Sequence, residues 1–403
     1  MRAPRFALFG TVFRLIARAL RDHADLDVTH LIDRDDLGYL VASGGSLEPE
    51  AGTIIEDFST PRAFLLPRHA ALTQRLADAD IALVSEFGPI FAQHTKRPAC
   101  FFPFGGDLTV MPFPARFAFR TRSLRERATA EVIGRRQRRA IPHMREVWSP
   151  PYAPYLRALE ALGATELRTM DYKPCGVDTE IFTERPGDLE DARRTHPDLA
   201  ALDFLVLHPS RLMLDPHPAL RESGQWKRNE VMIEGFARFA SRHPADRIAL
   251  AFVDRSEGPD RDRALELVRR LDIEDRVRFL APPRSGGFSW PELARLYLLA
   301  HVVADDFGVG WFGGVALESL AMRRPVLTYI DSSIMDDLYP WHPMVSAKTA
   351  DEVADALTSL AGDHGRRTAL GERSREWIEE HHAPEPLAKR YRRILLDVAD
   401  RYS

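Results

Sequence analysis

Two glycines and a glutamate set one helical turn apart make the most informative chemistry in this chain. They lie in Gly310-Trp311-Phe312-Gly313-Gly314-Val315-Ala316-Leu317-Glu318, which continues through Ser319-Leu320-Ala321-Met322-Arg323-Arg324-Pro325 into the apolar Val326-Leu327. The order reads as glycine loop, helix start, carboxylate and buried strand. Gly313 and Gly314 have no Cβ, so their backbone N–H groups allow a phosphate to come close, and a helix opening there adds free amides and the positive end of its dipole. Glu318 is then placed to accept hydrogen bonds from ribose hydroxyls. The segment reads as a seat for a nucleoside diphosphate. The plainer alternative is that the two glycines only shape a strand-to-helix turn and that Glu318 is an exposed helix residue.

Elements able to position such a seat recur along the chain. Phe6 to Phe9, Val28 to Ile32, Ile81 to Val84 and Ala99 to Phe104 read as buried strands, with Gly10 at the first strand–helix turn and a helix expected over Arg68 to Ala77. A second series follows. Strands are expected at Phe204 to Leu207, Ile248 to Val253, Val277 to Leu280, Val302 to Ala304 and Val326 to Ile330, and helices at Asn229 to Ala240, Arg263 to Leu271 and Pro291 to Leu299. Met232, Ile233, Phe236, Phe239 and Ala240 have the i, i+3, i+4 spacing of a core-facing stripe, as do Val353, Leu357 and Leu360. The final Leu387, Tyr391, Ile394, Leu395 and Val398 form another amphipathic helix with a basic outer face. Strands alternating with helices predict doubly wound α/β layers, which bind ligands at the carboxyl ends of their strands. Gly105-Gly106-Asp107 sits at such an end, and so do Asp305 and Asp306.

The 403 residues favour two domains. A net charge of −4 with 45% hydrophobic and 28% charged residues excludes a nucleic-acid binder or a disordered chain on global grounds. Cys100 and Cys175 are far apart and lack ligand spacing, so neither a disulfide scaffold nor a zinc site is expected, and a reducing, cytoplasmic setting is. No apolar run is long enough to span a bilayer, and Met1 to Gly10 lacks a signal-peptide core. The arginine and alanine richness points to a bacterium of high genomic GC content. Pro150, Pro151 and Pro154 after Trp148, and the stretch from Lys173-Pro174-Cys175 to about Leu199, break the pattern and read as the connection between the two halves.

Four separated matches, in order, carry a family resemblance: Gly176-Val177-Asp178-Thr179-Glu180-Ile181-Phe182, His208-Pro209-Ser210-Arg211, Lys227-Arg228-Asn229, and the glycine–glutamate–proline segment. Together they resemble the retaining GT-B glycosyltransferases of the large family 4-like group. The resemblance implies two Rossmann-like lobes facing across a cleft: an acceptor-binding lobe at 1–180, a linker at 181–200, a nucleotide-sugar-binding lobe at 201–375, and a last helix at 376–403 returning to the first lobe. It also implies transfer of a glycosyl group from a nucleoside-diphosphate sugar to a hydroxyl, with retention, no metal and no separate cofactor.

The residue roles that follow are specific. Arg211 and Lys227 match the basic pair that neutralises the departing diphosphate. The chain has only five lysines against fifty arginines, so a lysine at 227 suits a point charge on a moving phosphate. Glu318 matches the ribose-gripping glutamate. The partner glutamate of that motif would fall at Gly310, a departure. Asp305 or Asp306 is then expected either to supply the missing carboxylate or to cap the glycine turn. Phe104 stands where many members carry a histidine before glycine and aspartate. Asp107 is a candidate for binding the acceptor or orienting its hydroxyl, or else a turn aspartate. Gly10 marks where members bring backbone amides toward the diphosphate. The Arg116 to Arg145 segment, rich in arginine interleaved with Phe117, Phe119, Leu124, Val132 and Ile133, suggests either peripheral docking on an anionic membrane toward a lipid-linked acceptor or a solvated helix beside the cleft. A nucleotide-sugar epimerase on the same architecture and a non-catalytic binding relative are the alternative functions.

Overall fold

The computed structural model describes residues 3–36, 51–120, 123–149, 152–164, 168–169, 175–253, 259–283 and 287–402. Pro150, Pro151, Lys173 and Pro174 of the expected connection lie outside these residues.

The apolar runs assemble into two parallel sheets. The first holds β1 (Arg5–Phe9), β2 (Asp27–Asp33), β3 (Thr53–Glu56), β4 (Ile81–Val84), β5 (Ala99–Phe101), β6 (Glu146–Ser149) and β7 (Arg168–Thr169) in the order β3-β2-β1-β4-β5-β6-β7. The second holds β8 (Phe204–His208), β9 (Ile248–Val253), β10 (Val277–Leu280), β11 (Val302–Ala304), β12 (Val326–Thr328) and β13 (Val345–Ser346) in the order β10-β9-β8-β11-β12-β13. Neighbouring strands run parallel, with Phe9 beside Val84 and Leu207 beside Val303. Parallel sheets are covered on both faces, which is why β8 and β9 are buried at every residue and lack polar alternation. In each sheet the strand order reverses at the first strand, so the clefts of such layers open after β1 and β4 and after β8 and β11. This is the two-lobed GT-B architecture expected from the resemblance.

Helices cover the sheets as their stripes require. Met232, Ile233, Phe236 and Phe239 are buried and meet Val353, Leu357 and Leu360 of the Ala350–Gly362 helix. Gly235 lets the two helices approach, since a Cβ there would lie 2.4 Å from Val353 Cγ1. The Pro384–Tyr402 helix returns to the first lobe and packs on the Arg14–Ala24 helix. Leu387, Tyr391, Ile394, Leu395 and Val398 are buried in that contact, and Arg392 Nε donates to the Ala24 carbonyl at 3.2 Å. Its end is fixed by an ion pair between Arg401 and the buried Glu146. Between the sheets, Asp188–Thr195 and Pro197–Ala200 are helices, so the polar stretch expected as a linker is folded, with Ala192 and Leu199 buried near the Trp290–Leu299 helix.

Element ends differ from the sequence reading for local reasons. β5 stops at Phe101 because the chain turns away toward Gly105, which adopts φ +126°. β12 stops at Thr328, after which the Tyr329 N–H donates to the Asp306 carbonyl at 2.7 Å. Pro67 opens a 3-10 turn and Ala70 is extended, so the helix expected from Arg68 begins at Ala71. The helix expected at Arg263 already starts at Pro259. The basic segment divides into a 3-10 stretch at Pro114–Arg120 and a helix at Leu124–Ala140 capped by the Ser123 hydroxyl.

Candidate active site

The end of β11 places Asp305 and Asp306 inside the second lobe, 2% and 4% exposed. One oxygen of Asp306 accepts the N–H groups of Gly308 and Val309, both at 2.8 Å, and caps the loop. The other lies 3.1 Å from Lys227 Nζ. Asp305 accepts a hydrogen bond from Ser210 and stands 3.8 Å from the same ammonium. Both aspartates are therefore committed to the loop and to Lys227. Burial works against the Lys227 charge, but the two carboxylates outweigh it and raise its pKa, so it stays an ammonium. Arg211 is exposed at the end of the same sheet and close enough for its charge to oppose that of Lys227. The two cations expected to act together do share one region. Asn229 fixes their setting: its Oδ1 accepts the Met213 N–H at 2.7 Å and its Nδ2 lies 3.0 Å from Nε2 of the buried His208. Burial pushes that histidine down to about 4, so it is neutral.

The glycines of the loop are not equivalent. Gly310 has φ +77°, and a Cβ there would sit 3.0 Å from Asp331 Cβ and 3.1 Å from Tyr329 Cε1. A side chain there would be strained by the left-handed backbone and crowded by those two atoms, so the position where the resemblance expects a glutamate suits glycine. Gly313 has φ −114°, and a Cβ would meet nothing nearer than Asp305 Oδ2 at 3.6 Å. At Gly314 the nearest atom would be Glu318 Oε1 at 3.5 Å. These are ordinary contacts, so neither backbone conformation nor packing requires glycine at 313 or 314. The reading in which they merely shape a turn therefore lacks a structural reason. Gly314 opens the Gly314–Ala321 helix, whose first turn faces the cleft between the lobes. Glu318 is held by Tyr297, whose hydroxyl donates to Oε2 at 2.8 Å and is kept protonated by burial. Just before the glycines, Trp311 and Phe312 stack with ring centroids 5.2 Å apart, and Phe312 packs on Trp377 and His382. The loop thus rests on the joint between lobes, where the Val177 N–H donates to the His382 carbonyl at 3.0 Å.

Across the cleft the first lobe presents Thr11, Val12, Leu15 and Phe104 opposite Gly313, Gly314, Leu317 and Glu318. Gly10 is demanded by its turn: φ is +126°, and a Cβ would be 3.1 Å from Ser85 Cβ. Its amide donates to the Leu31 carbonyl at 3.2 Å, so the cleft is faced by Thr11 and Val12 and not by the Gly10 N–H. Asp107 is turned inward. It accepts from the N–H groups of Phe104 at 2.9 Å, Glu86 at 3.0 Å and Leu108 at 3.0 Å, and from Ser85 Oγ at 3.3 Å. Burial still pushes its carboxyl up to about 6. It organises the loop, and the carboxylate it sets in place is Glu86, a residue at φ +54° whose Oε1 accepts from Thr11 N and Oγ1. Glu86 and Tyr297 escaped the sequence reading. Glu86 lies two residues past the end of an apolar strand and was open to recognition there, whereas Tyr297 looks like any member of a buried helical stripe.

No family model matches the chain. Among curated proteins it is similar to the D-inositol 3-phosphate glycosyltransferase of Kribbella flavida, with 30% identity over 213 residues covering 49% of this chain and 43% of the relative. The corresponding protein of Actinosynnema mirum is 31% identical over 206 residues, covering 49% and 44%. A GDP-mannose-dependent alpha-(1-6)-phosphatidylinositol monomannoside mannosyltransferase of Mycobacterium tuberculosis is 24% identical over 238 residues, covering 56% and 55%. The chain spans about half the length of the curated relatives it matches. Among solved structures, HepE of Anabaena in complex with UDP and glucose superposes with a TM-score of 0.63 at 14% identity, covering 97% of this chain and 99% of that one. Sucrose-phosphate synthase of Thermosynechococcus elongatus gives 0.64 at 17%, covering 98% and 99%. The likeness in fold thus spans the whole chain, and the likeness in sequence to glycosyltransferases spans half of it.

Proposed function

We propose that this chain is a retaining glycosyltransferase that moves a sugar from a nucleoside-diphosphate donor to a hydroxyl acceptor in glycolipid, polysaccharide or glycosylated-metabolite synthesis. The observation that carries the reading is the pair Gly313 and Gly314, glycines that the fold does not need, at a helix start one turn before a Tyr297-braced Glu318. The diphosphate lies against the amides of that helix start, with Lys227 and Arg211 beside it and the ribose on Glu318. As the glycosidic bond breaks, negative charge grows on the leaving phosphate. Lys227, already fixed in place by Asp305 and Asp306, stabilises that charge without reorganising, with Arg211 beside it. With two cations in that role, the reading calls for no metal. The acceptor enters from the first lobe, over Thr11, Val12 and Phe104. Incubation with UDP-glucose and GDP-mannose and an inositol phosphate or simple sugar acceptor tests the reaction, with nucleotide release and product anomer followed by NMR. The expected product keeps the donor's anomeric configuration; an inverted product or a C-epimerised donor would replace the reading.

The site of action proposed is the cytoplasmic face of a membrane. Among the described residues no helix is long and apolar enough to cross a bilayer. The Leu124–Ala140 helix exposes Leu124 and Val132 together with Arg125, Arg135 and Arg139, and its Arg136 donates to the carbonyl of the exposed Leu65 at 2.8 Å. Exposed apolar side chains interspersed with arginine suit an anionic lipid surface. Sedimentation with phosphatidylglycerol vesicles, lost on adding salt and absent with phosphatidylcholine, is the expected result; equal recovery with both lipids would remove this part of the proposal.

A further inference from the structure

Fifteen residues separate the two cations of the site, and they do not stay in the lobe that holds those cations. From Arg211 the chain passes through the short Pro218–Glu222 helix, crosses to the first lobe, and returns to Lys227. On the first lobe, His217 stacks on Phe119 with ring centroids 3.9 Å apart and planes 22° apart. Glu222 forms an ion pair with Arg116 and its carbonyl accepts from Arg157 at 3.3 Å. The Tyr152 hydroxyl donates to the Gly224 carbonyl at 2.9 Å, and Gln225 Nε2 lies 3.5 Å from Thr109 Oγ1.

The segment is braced within itself. Trp226 Nε1 donates to the Leu214 carbonyl at 3.2 Å, and the Arg221 guanidinium lies 4.4 Å over the Trp226 ring while Arg221 Nε donates to the Pro216 carbonyl at 3.1 Å. Leu214 N–H in turn reaches Asp260 at 3.2 Å in the second lobe. Such a piece transmits displacement from one end to the other instead of absorbing it. Its narrowest contact is Gly224, at φ +73°, where a Cβ would lie 2.2 Å from the Tyr152 hydroxyl oxygen and 2.7 Å from Pro154 Cγ.

We propose that residues 212–226 are an arm tying the Lys227 end of the second lobe to the first lobe, with Tyr152 and Gly224 as the positioning residues that set the width of the cleft. The role of Lys227 in this statement rests on the function proposed above; the tie between lobes does not. The arm holds the cleft near its working width before substrates arrive. It also makes closure over the donor and placement of the acceptor lobe one movement. Removing one hydrogen bond of ordinary strength shifts an opening equilibrium by roughly two- to tenfold, so Tyr152→Phe opens the cleft in a measurable fraction of molecules and Gly224→Val, a wedge, opens it in most.

The test uses the full chain with spin labels on Arg139→Cys and Glu266→Cys, both exposed and in opposite lobes, in a Cys175→Ala background; Cys100 is buried. Double electron–electron resonance is expected to give one narrow distance without positional variants, a minor longer distance with Tyr152→Phe, and a dominant longer distance with Gly224→Val. UDP binding by calorimetry is expected to stay within about threefold in all three, because the arm's ends keep their anchors in the second lobe. A distribution already broad before substitution, or one unchanged by both variants, overturns the proposal. Should Gly224→Val fail to melt cooperatively, Tyr152→Phe alone decides. Failure of UDP, GDP, ADP, CDP and dTDP to bind any form would count against the nucleotide reading and leave the distances to judge the arm.

Discussion

At the scale of single residues, the site is built from groups whose states are fixed by their neighbours. Lys227 is charged because two buried carboxylates face it, and those carboxylates are tolerated because Lys227 faces them. Lys227→Met should therefore cost about 3 kcal/mol of stability, since it strands buried charge, and it should also weaken nucleotide binding; urea unfolding and calorimetry measure the two effects. Tyr297→Phe tests the grip on ribose separately. Without its hydroxyl, Glu318 loses one donor, and UDP affinity is expected to fall by about three- to tenfold while pyrophosphate affinity stays the same. Equal losses for both ligands would place Glu318 at the phosphates instead. The sequence singled out Gly313, Gly314, Glu318, Arg211 and Lys227 by type and order, and the structure brings Lys227 and Arg211 into one region and puts Gly313, Gly314 and Glu318 on the cleft. Asp107 was legible as a turn aspartate, since two of its backbone partners, Phe104 and Leu108, are local; its tie to the Glu86 amide, 21 residues away, was not. The left-handed backbone at Gly310 and its closeness to Asp331, which together suit glycine there, are not visible in one dimension.

At the scale of elements, the strands declared themselves as short continuous apolar runs and the amphipathic helices by the period that one-sided burial writes into sequence. The elements that did not are short or carry polar residues for tertiary reasons. β6 holds Glu146 in its buried face because Arg401, 255 residues away, supplies the charge and Trp148 Nε1 donates to its other oxygen at 2.9 Å. β3 and β13 are edge strands of four and two residues, each paired on one side only. The Gly314–Ala321 helix permits a sharp separation of fold from function. Gly314→Ala places a methyl where the nearest atom is 3.5 Å away and gives the helix a better first residue. Stability is thus expected to hold or rise by up to about 1 kcal/mol, while a diphosphate loses its close approach and UDP affinity falls. Thermal melting with and without UDP measures both; a variant that melts lower and binds normally would mean that the glycine serves the fold.

At the scale of the whole molecule, two parallel sheets with reversed strand order put their ligand-binding edges toward a common cleft, and several described segments tie the lobes together. The junction at Gly176 to Phe182, the returning last helix and the 212–226 arm each cross between them. The two-lobed plan was readable from the repeated strand–helix grammar and from four motifs in order. The arm was not, because nothing in its composition says that it leaves its own lobe. The central claim is that a nucleoside diphosphate sits at the Gly313–Glu318 helix start, and calorimetric titration of UDP, GDP, ADP, CDP and dTDP into the full chain and into Gly314→Val and Glu318→Ala tests it most directly. One nucleotide binding the unsubstituted chain, with affinity reduced by about tenfold or more in both variants at unchanged folding, is the predicted result. No binding by any of the five, or binding that neither substitution weakens, would contradict it.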